Sequence, residues 1–542
     1  MENRLSASDL SNLFAERGQV HVTVGGTIIV EGAPPAYEEL VAHVEDRLNW
    51  IPRFRQRVVK VPLGFENPVW GDDPKFDVRR HVRNMAIPRP GRLDQLRDLV
   101  GRIMSEPLDM ERPLWQIYLI DGLRGGRHAY LSKTHHALVD GVAAVDIGMI
   151  LLDPKRSGTQ AKGSKEPWRP EELRPGEVFA QAALYAVQRP FRAVGRAART
   201  TVSMPARTAR RVIRTAEAIT ELAAAGPKSP RSPLNVEIGR DRRIAWVRAD
   251  LDRLKRARAA AEGSTVNDVV LSVVAGALRS FLQGRGDEVP EHLVALVPVS
   301  IRRPDEDGEL GNRISTILVR LPLAESDPRK RLAGLRDETA RLKETDNARA
   351  ASLIIEATGW APPTINRVLS HAMARPLVFN LVVSNVPGPQ QPLYLLGRQV
   401  REVYPVVPLS PQNHALSIGL LSYDGRVFFG LNGDRDAVPD LDDLAAALRE
   451  ALREQPVPRR APKPKPAPRR ATAARKRAPA KVAAKRGKGA TTPRRQAAAK
   501  AKPQGRARTT SKASASRPKR GRRPASRGAR GRRGRPSSRR SS

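Results

Sequence analysis

Cysteine is absent from all 542 residues, so disulfides, thiolate metal sites and cysteine nucleophiles are excluded together. Long apolar runs are missing too. Stretches such as "VLSVVAGAL" (270–278) fall well short of the roughly 18 residues that suggest a membrane span. The opening "MENRLSASDLSNLF" has neither the basic start nor the apolar run of a secretory leader. From these absences we expect a cytoplasmic chain, soluble or peripheral to a membrane, with no signal peptide and no transmembrane helix.

A third absence is local. Residues 456–542 contain no Asp or Glu, yet they hold 32 of the 96 Lys and Arg. The other 64 basic residues face all 56 acidic ones, so the body carries only about +8 of the formal +40. The tail ("RRAPKPKPAPRRATAARKRAPAKVAAKRGKG" and onward) is Lys, Arg, Ala, Pro, Gly and Ser, with almost nothing to bury. Such a segment cannot offset the entropy of ordering, and the composition predicts disorder.

What is present is a body long enough for two domains or one large two-lobed unit, and 40% hydrophobic residues suffice for a sizeable core. Over 1–153, "HVTVGGTIIVEG" (21–32), "WQIYLID" (115–121) and "HAYLSKTHHAL" (128–138) have strand patterns. "YEELVAHVEDRLNWI" (37–51), "LDQLRDLVGRIM" (93–104) and "DGVAAVDIGMILL" (140–152) have helical ones. Residues 154–233 interrupt this with a polar linker and an Ala/Arg-rich stretch. Arg189 to Arg214 holds eight arginines and no acid, a basic amphipathic surface element if helical.

The alternation resumes over 234–455. "LDRLKRARAAAEG" (251–263) is a helix stopping at Gly263. "STVNDVVLSVVAGALRSFL" (264–282) is a core helix with Ser264 or Thr265 as cap. "LVALVPVSI" and "RISTILVRLPL" are strands, and "LSIGLLSYDGRVFFGLNG" (416–433) is a hairpin turning at Asp424-Gly425. The fold class expected is a mixed α/β (α+β) body of two lobes, 1–153 and 234–455, joined by 154–233 and followed by the tail at 456–542.

Only 9 histidines occur in the chain, yet "KTHHALVDG" (133–141) sets His135 beside His136. Neighbours on a strand point to opposite faces, so the two cannot share one metal ion without distortion, and no cysteine is available to complete a zinc site. By alternation His136 shares a face with Thr134, Ser132 and Tyr130, a polar row suited to a solvent-filled channel. His135 shares its face with Lys133, Leu131 and Ala137. His136 is thus the better candidate for a general base, since a neutral imidazole is the natural group to take a proton from an alcohol. Asp140 at the following turn can hold an amide, an arginine or the imidazole, and Gly141 leaves room for substrate. Packing or chance remains an open reading of the pair at this point.

"HHALVDG" (135–141) resembles the HHxxxDG signature of the CoA-dependent acyltransferase superfamily. The surrounding sequence is similar to one branch, the bacterial wax ester synthase/diacylglycerol acyltransferase family. "PLDMERPLW" (107–115) contains the PLW element of that family and "NDVV" (267–270) its ND element; "VPVSIR", "GNRIS" and "SNVPGP" (384–389) follow in order. The likeness runs from about residue 5 to 450, is looser near the start, and has no counterpart to the tail.

The resemblance implies two chloramphenicol-acetyltransferase-like lobes with a tunnel between them. Acyl-CoA enters one side as substrate, no cofactor is needed, and the lipid alcohol enters the other. His136 would be the general base, with no acyl-enzyme, and His135 its partner in the signature. Asp140 would be structural, paired with an arginine for which Arg302 is a guess. Pro113, Leu114, Trp115, Asn267, Asp268, Ser384 and Asn385 would line the tunnel. Simpler roles stand beside these: core packing for Trp115, helix capping for Asn267 or Asp268, and a Pro/Gly turn ending a strand for "SNVPGP".

The expected activity is transfer of a long-chain acyl group to diacylglycerol, giving triacylglycerol as storage lipid, with wax esters from fatty alcohols second. Two alternatives stand: a carrier-dependent condensation enzyme, and a nucleic-acid- or membrane-binding protein on an idle acyltransferase-like scaffold. The Arg189–Arg214 stretch and the tail suit an anionic membrane or lipid-droplet surface, at about 1 kcal/mol per engaged Lys or Arg. Non-specific, salt-dependent nucleic-acid binding by the tail is the competing use, and a merely solubilising tail the simplest. With no aromatics to stack on bases, sequence specificity is not expected.

Overall fold

The computed structural model describes residues 4–16, 20–61, 67–138, 150–158, 168–171, 176, 229–300, 314–344, 379–410 and 413–457. The Arg189–Arg214 stretch, Asp140, Gly141, Arg302, residues 140–149 of the helix expected over 140–152 and the tail from 458 onward lie outside them.

The first half runs α1 (Ala7–Ala15), β1 (Thr23–Glu31), α2 (Tyr37–Arg47), β2 (Gln56–Val59), β3 (Val69–Asp72), β4 (Val82–Ala86), α3 (Leu93–Ser105), β5 (Trp115–Leu123) and β6 (Arg127–His135). The second runs β7 (Arg242–Asp250), α4 (Leu251–Ala257), α5 (Val266–Arg285), β8 (His292–Ser300), β9 (Ile314–Pro322), α6 (Pro328–Glu344), β10 (Leu381–Pro387), β11 (Tyr394–Leu395), β12 (Arg398–Val406), β13 (Leu416–Tyr423), β14 (Arg426–Asp434) and α7 (Leu441–Glu454). Among the described residues the strands form two six-stranded sheets, ordered β11-β12-β1-β6-β5-β4 and β7-β14-β13-β10-β8-β9, and a β2-β3 pair.

Local chemistry explains most elements. Thr265 and Asp268 cap α5 reciprocally: Thr265 Oγ1 accepts from the Asp268 amide at 3.2 Å, and Asp268 Oδ2 accepts from the Thr265 amide at 2.7 Å. Thr265, rather than Ser264, is therefore the cap. Val269 to Leu278 are then buried almost without a break, as expected of a helix apolar all round. This 20-residue helix is long and apolar enough to cross a bilayer, but 72% of its apolar window is buried inside the fold, as a core helix would be. The β13–β14 hairpin turns on Asp424 and Gly425, both at positive φ (45° and 74°), the geometry of a type I′ turn. Helix α4 is shorter than the pattern suggests. It ends at Ala257 and passes through a 3₁₀ turn at Arg258–Ala260 before Gly263 at φ 78°.

The expected boundaries need one amendment. Strands β11 and β12 come from the second half of the chain but complete the first sheet, with β12 antiparallel to β1 (Ile28 opposite Val403). A division into 1–153 and 234–455 is therefore crossed by two strands. Trp246 of β7 stacks on Tyr404 of β12 at 4.5 Å and 7°, so the two sheets share core. Gly430 of β14 makes the crossing feasible, because a Cβ there would lie 1.8 Å from the Pro405 carbonyl oxygen. Helix α3 makes a second link: Ser105 Oγ accepts from the Arg242 amide at 2.8 Å, and Arg97 pairs with Asp442 of α7. The body also continues to Val457, which packs against the second core, so the tail begins later than 456.

Candidate active site

Strand β6 ends at His135, and His136 sits one residue beyond it, in a turn. The ladder fixes this end firmly: the His135 amide donates to Leu114 O and the His136 amide to Val22 O, both at 2.9 Å. Helix α1 closes over the pair. It is started by a reciprocal cap between Ser6 and Asp9 and anchored by buried Leu10. Asn12 within the helix and Glu16, the residue just past its end, reach the histidines.

Glu16 serves His135, whose Nε2 approaches Oε1 at 3.0 Å, close in distance though off the line of a hydrogen bond. His135 Nδ1 accepts from the Ala137 amide at 2.9 Å, so the ring hydrogen sits on Nε2, toward Glu16. Glu16 also accepts from the Val22 amide at 2.9 Å. Burial alone would raise the Glu16 pKa, but His135, the Val22 amide and His21 more than offset it, and the carboxyl stays below its ordinary range. His135 is 1% exposed. It is a buried structural partner.

His136 is half-buried, and Asn12 Nδ2 lies 3.1 Å from its Nδ1. This nitrogen contact and its place just past the strand end separate His136 from its neighbour. The polar row expected beside it is not an open channel. Thr134 and Tyr130 are 7% and 3% exposed and face Trp115 and Leu119 of β5 across the sheet, so only Ser132 is partly open. Strand alternation stops at His135, so it does not carry over to His136 in the turn.

The opposite face holds Lys133, which sequence reasoning did not single out as functional. Its Nζ donates to the Ile103 and Glu106 carbonyls at the end of α3. Burial pushes its pKa down to about 8. It caps a helix from below, a use that requires knowing that α3 packs there.

Of the expected tunnel residues, Leu114 and Trp115 are core: they are 0% and 1% exposed, and Trp115 Nε1 donates to Phe54 O at 2.7 Å. The backbone of the element links the histidines to a cavity of about 440 Å³ lined by Arg79, Arg80, Arg83, Arg112, His81 and Trp115, with Pro113 at its wall. Three of its arginines already face carboxylates, Arg79 with Glu38, Arg80 with Asp77 and Arg112 with Asp109.

Ser384 and Asn385 lie within β10 and not in a turn. Asn385 Nδ2 donates to Asn267 Oδ1 at 3.2 Å, so two expected site residues 118 apart in the chain meet. Asp268 is consumed structurally. Beyond its cap it accepts from Thr339 Oγ1 at 2.7 Å and is 1% exposed.

A two-sheet body with a histidine pair at a strand end agrees with the chloramphenicol-acetyltransferase-like architecture that the resemblance implies. Comparison is more specific. Residues 5–270 match the wax ester synthase/diacylglycerol acyltransferase catalytic domain, and 310–455 the C-terminal domain of the same family. The chain belongs to that family. A probable diacylglycerol O-acyltransferase of Mycobacterium tuberculosis, tgs2, is 34% identical over 82% of this chain and 97% of its own. A second, tgs1, is 32% identical over 83% and 95%. The solved wax ester synthase/diacylglycerol acyltransferase from Marinobacter aquaeolei VT8 is 29% identical, with a TM-score of 0.58 over 83% of this chain and 98% of that one. A condensation domain of the calcium-dependent antibiotic synthetase (17% identity, TM-score 0.53) shares the fold alone.

Proposed function

We propose that the chain transfers a long-chain acyl group from acyl-CoA to diacylglycerol, with His136 as general base. The names carried by its mycobacterial relatives favour diacylglycerol over a fatty alcohol. One observation supports the choice of base: His135 is 1% exposed, with its Nδ1 accepting and its Nε2 set against Glu16, whereas His136 is partly exposed one residue past the strand end. As the acceptor oxygen attacks the thioester carbonyl, His136 takes the hydroxyl proton and the new C–O bond forms. The tetrahedral intermediate then expels the CoA sulfur, and the imidazolium returns that proton to the thiolate, giving ester and CoA. General-base assistance of this kind is worth about 10²–10⁴-fold, or roughly 3–5 kcal/mol. Holding thioester and hydroxyl together contributes further.

The membrane or lipid-droplet surface is the proposed workplace, reached through the basic tail and Arg189–Arg214; supporting this are their composition and the insolubility of the substrates. Deleting the tail, 456–542, should reduce binding to anionic vesicles at low salt, and unchanged binding would refute its membrane role. For the activity, purified protein is offered palmitoyl-CoA with diacylglycerol or hexadecanol and the esters are identified. Diacylglycerol-dependent CoA release is expected; hexadecanol-only release would make the enzyme a wax ester synthase, and release with neither would return the carrier-dependent or scaffold alternatives.

A further inference from the structure

The cavity of about 440 Å³ beside Pro113 and Trp115 has four arginines in its wall, Arg79, Arg80, Arg83 and Arg112, against one acid, Asp109. Two segments deliver them. Arg79 and Arg80 belong to a 3₁₀ turn (Val78–Arg80) opened by Asp77, whose Oδ1 accepts from the Arg79 amide at 3.0 Å, and Arg83 follows on β4. Arg112 closes a turn in which its amide donates to the Asp109 carbonyl at 3.2 Å.

The two segments are held together. The Ile117 amide donates to His81 O at 2.8 Å, His81 Nδ1–H donates to Trp115 O at 2.8 Å, and the His81 and Trp115 rings stack at 4.6 Å. The backbone beneath all four arginines is thereby fixed. Burial, with a smaller push from Arg112, holds the His81 pKa below its ordinary value, so that ring is neutral at pH 7 and the arginines carry the charge.

What the arginines hold at present is weak. Arg79–Glu38 and Arg80–Asp77 are solvent-exposed pairs, the second at 3.8 Å, and Arg112–Asp109 lies within one turn. Exposed pairs of this kind contribute little. Arg83 has no ion-pair partner among the described residues and lies 5.9 Å over the Tyr118 ring. A phosphate brings up to two charges and three acceptor oxygens, which guanidinium forks match in pairs, so it can displace these carboxylates. The volume has room for a phosphate and a group attached to it.

We propose that this cavity is a phosphate-binding site, with Arg83 and Arg112 as its principal holders and Arg79 and Arg80 beside them. Two sources carry that chemistry: the nucleotide end of CoA, which rests on the function proposed above, and the headgroup of an anionic phospholipid, which does not. The site is one residue from the histidine pair's support, since Leu114 O, between Pro113 and Trp115, accepts from the His135 amide at 2.9 Å.

The test uses the full chain as wild type, Arg83→Gln, Arg112→Gln and Arg83→Lys. Arg401→Gln, which removes an exposed arginine outside the cavity, controls for loss of one charge and for attraction by the tail. Adenosine 3′,5′-bisphosphate is titrated by calorimetry at about 0.15 M salt, and vesicles of phosphatidylcholine with and without phosphatidylglycerol are tested by co-sedimentation. Each Arg→Gln change in the cavity should weaken a phosphate probe about tenfold relative to the control, with the melting temperature unchanged. Arg83→Lys should recover part of the loss, because it keeps the charge but not the fork. Loss confined to the nucleotide, with a raised KM for palmitoyl-CoA at unchanged kcat, supports the site and assigns its phosphate to CoA. Loss confined to the anionic vesicles supports it and assigns the phosphate to a headgroup. Cavity variants that bind both probes like wild type, or that lose no more than Arg401→Gln, overturn the proposal. Neither binding measurement needs acyl transfer, so arginine-dependent binding by a protein inactive on both alcohols upholds the site and refutes the function.

Discussion

Arg47 and Asp153, 106 residues apart, form an ion pair of 2.6 Å with both side chains almost fully buried. Arg47 comes from the end of α2 and also lies over the Trp50 ring at 4.7 Å. Asp153 stands just past the signature segment, where its backbone exchanges two hydrogen bonds with Tyr394. Helix α2, the exit of the signature and the second half of the chain are tied at this one point.

Breaking that pair should be expensive. Asp153→Ala leaves a buried guanidinium without its carboxylate, and a loss of about 3–5 kcal/mol is expected. Thermal or urea unfolding checks it, and the double variant Arg47→Met/Asp153→Leu should recover much of the loss. Equal instability of the single and double variants would show that packing, not charge, dominates.

Asp268 and Asn385 should separate stability from catalysis. Asp268→Ala removes the carboxylate half of the reciprocal α5 cap and the Thr339 bond, so the melting temperature should fall with a cost of about 1–3 kcal/mol. Asn385→Ala breaks only a half-buried side-chain pair with Asn267. It should leave stability nearly intact, and a change in KM or kcat would place these two residues in the substrate path.

Gly430 tests the join of the sheets. Gly430→Ala puts a methyl against the Pro405 carbonyl, and the strand must shift to accept it. Destabilisation at the upper end of about 1–3 kcal/mol is expected, measured as a drop in melting temperature against a Gly425→Asn control at the exposed turn.

Stability should fall on acidification below neutrality. His414 stacks on Phe379 at 3.9 Å, its Nε2–H donates to Phe379 O at 2.8 Å, and burial pushes its pKa down to about 4. Unfolded histidine titrates near 6.5. Between about 4 and 6.5 the unfolded chain binds the extra proton, so stability declines as pH drops, by up to about 1.4 kcal/mol per unit from this group. Burial lowers His21, His81 and His128 as well. His414→Gln should flatten the pH dependence of unfolding.

The elements that local patterns encode were legible. Helix α5 announced itself by its cap and apolar run, the last hairpin by Asp424-Gly425, and β6 with its histidine pair by motif. What could not be read was which distant segments meet. Nothing local in "REVYPV" says that β12 joins the first sheet, since pairing depends on complementary faces far apart in the chain. The same holds for Asn12 and Glu16, whose spacing marks a helix face but not the histidines it covers. The row Thr134, Ser132 and Tyr130 reads as polar in the sequence, yet Thr134 and Tyr130 are buried opposite Trp115 and Leu119 of a neighbouring strand.

The most direct measurement is thiol release from palmitoyl-CoA with diacylglycerol in detergent, comparing wild type with His136→Ala at matched melting temperature. General-base catalysis by His136 predicts alcohol-dependent release that falls about 10²–10⁴-fold in the variant. A variant that retains the wild-type rate would contradict it, and the base would have to be sought elsewhere in the fold.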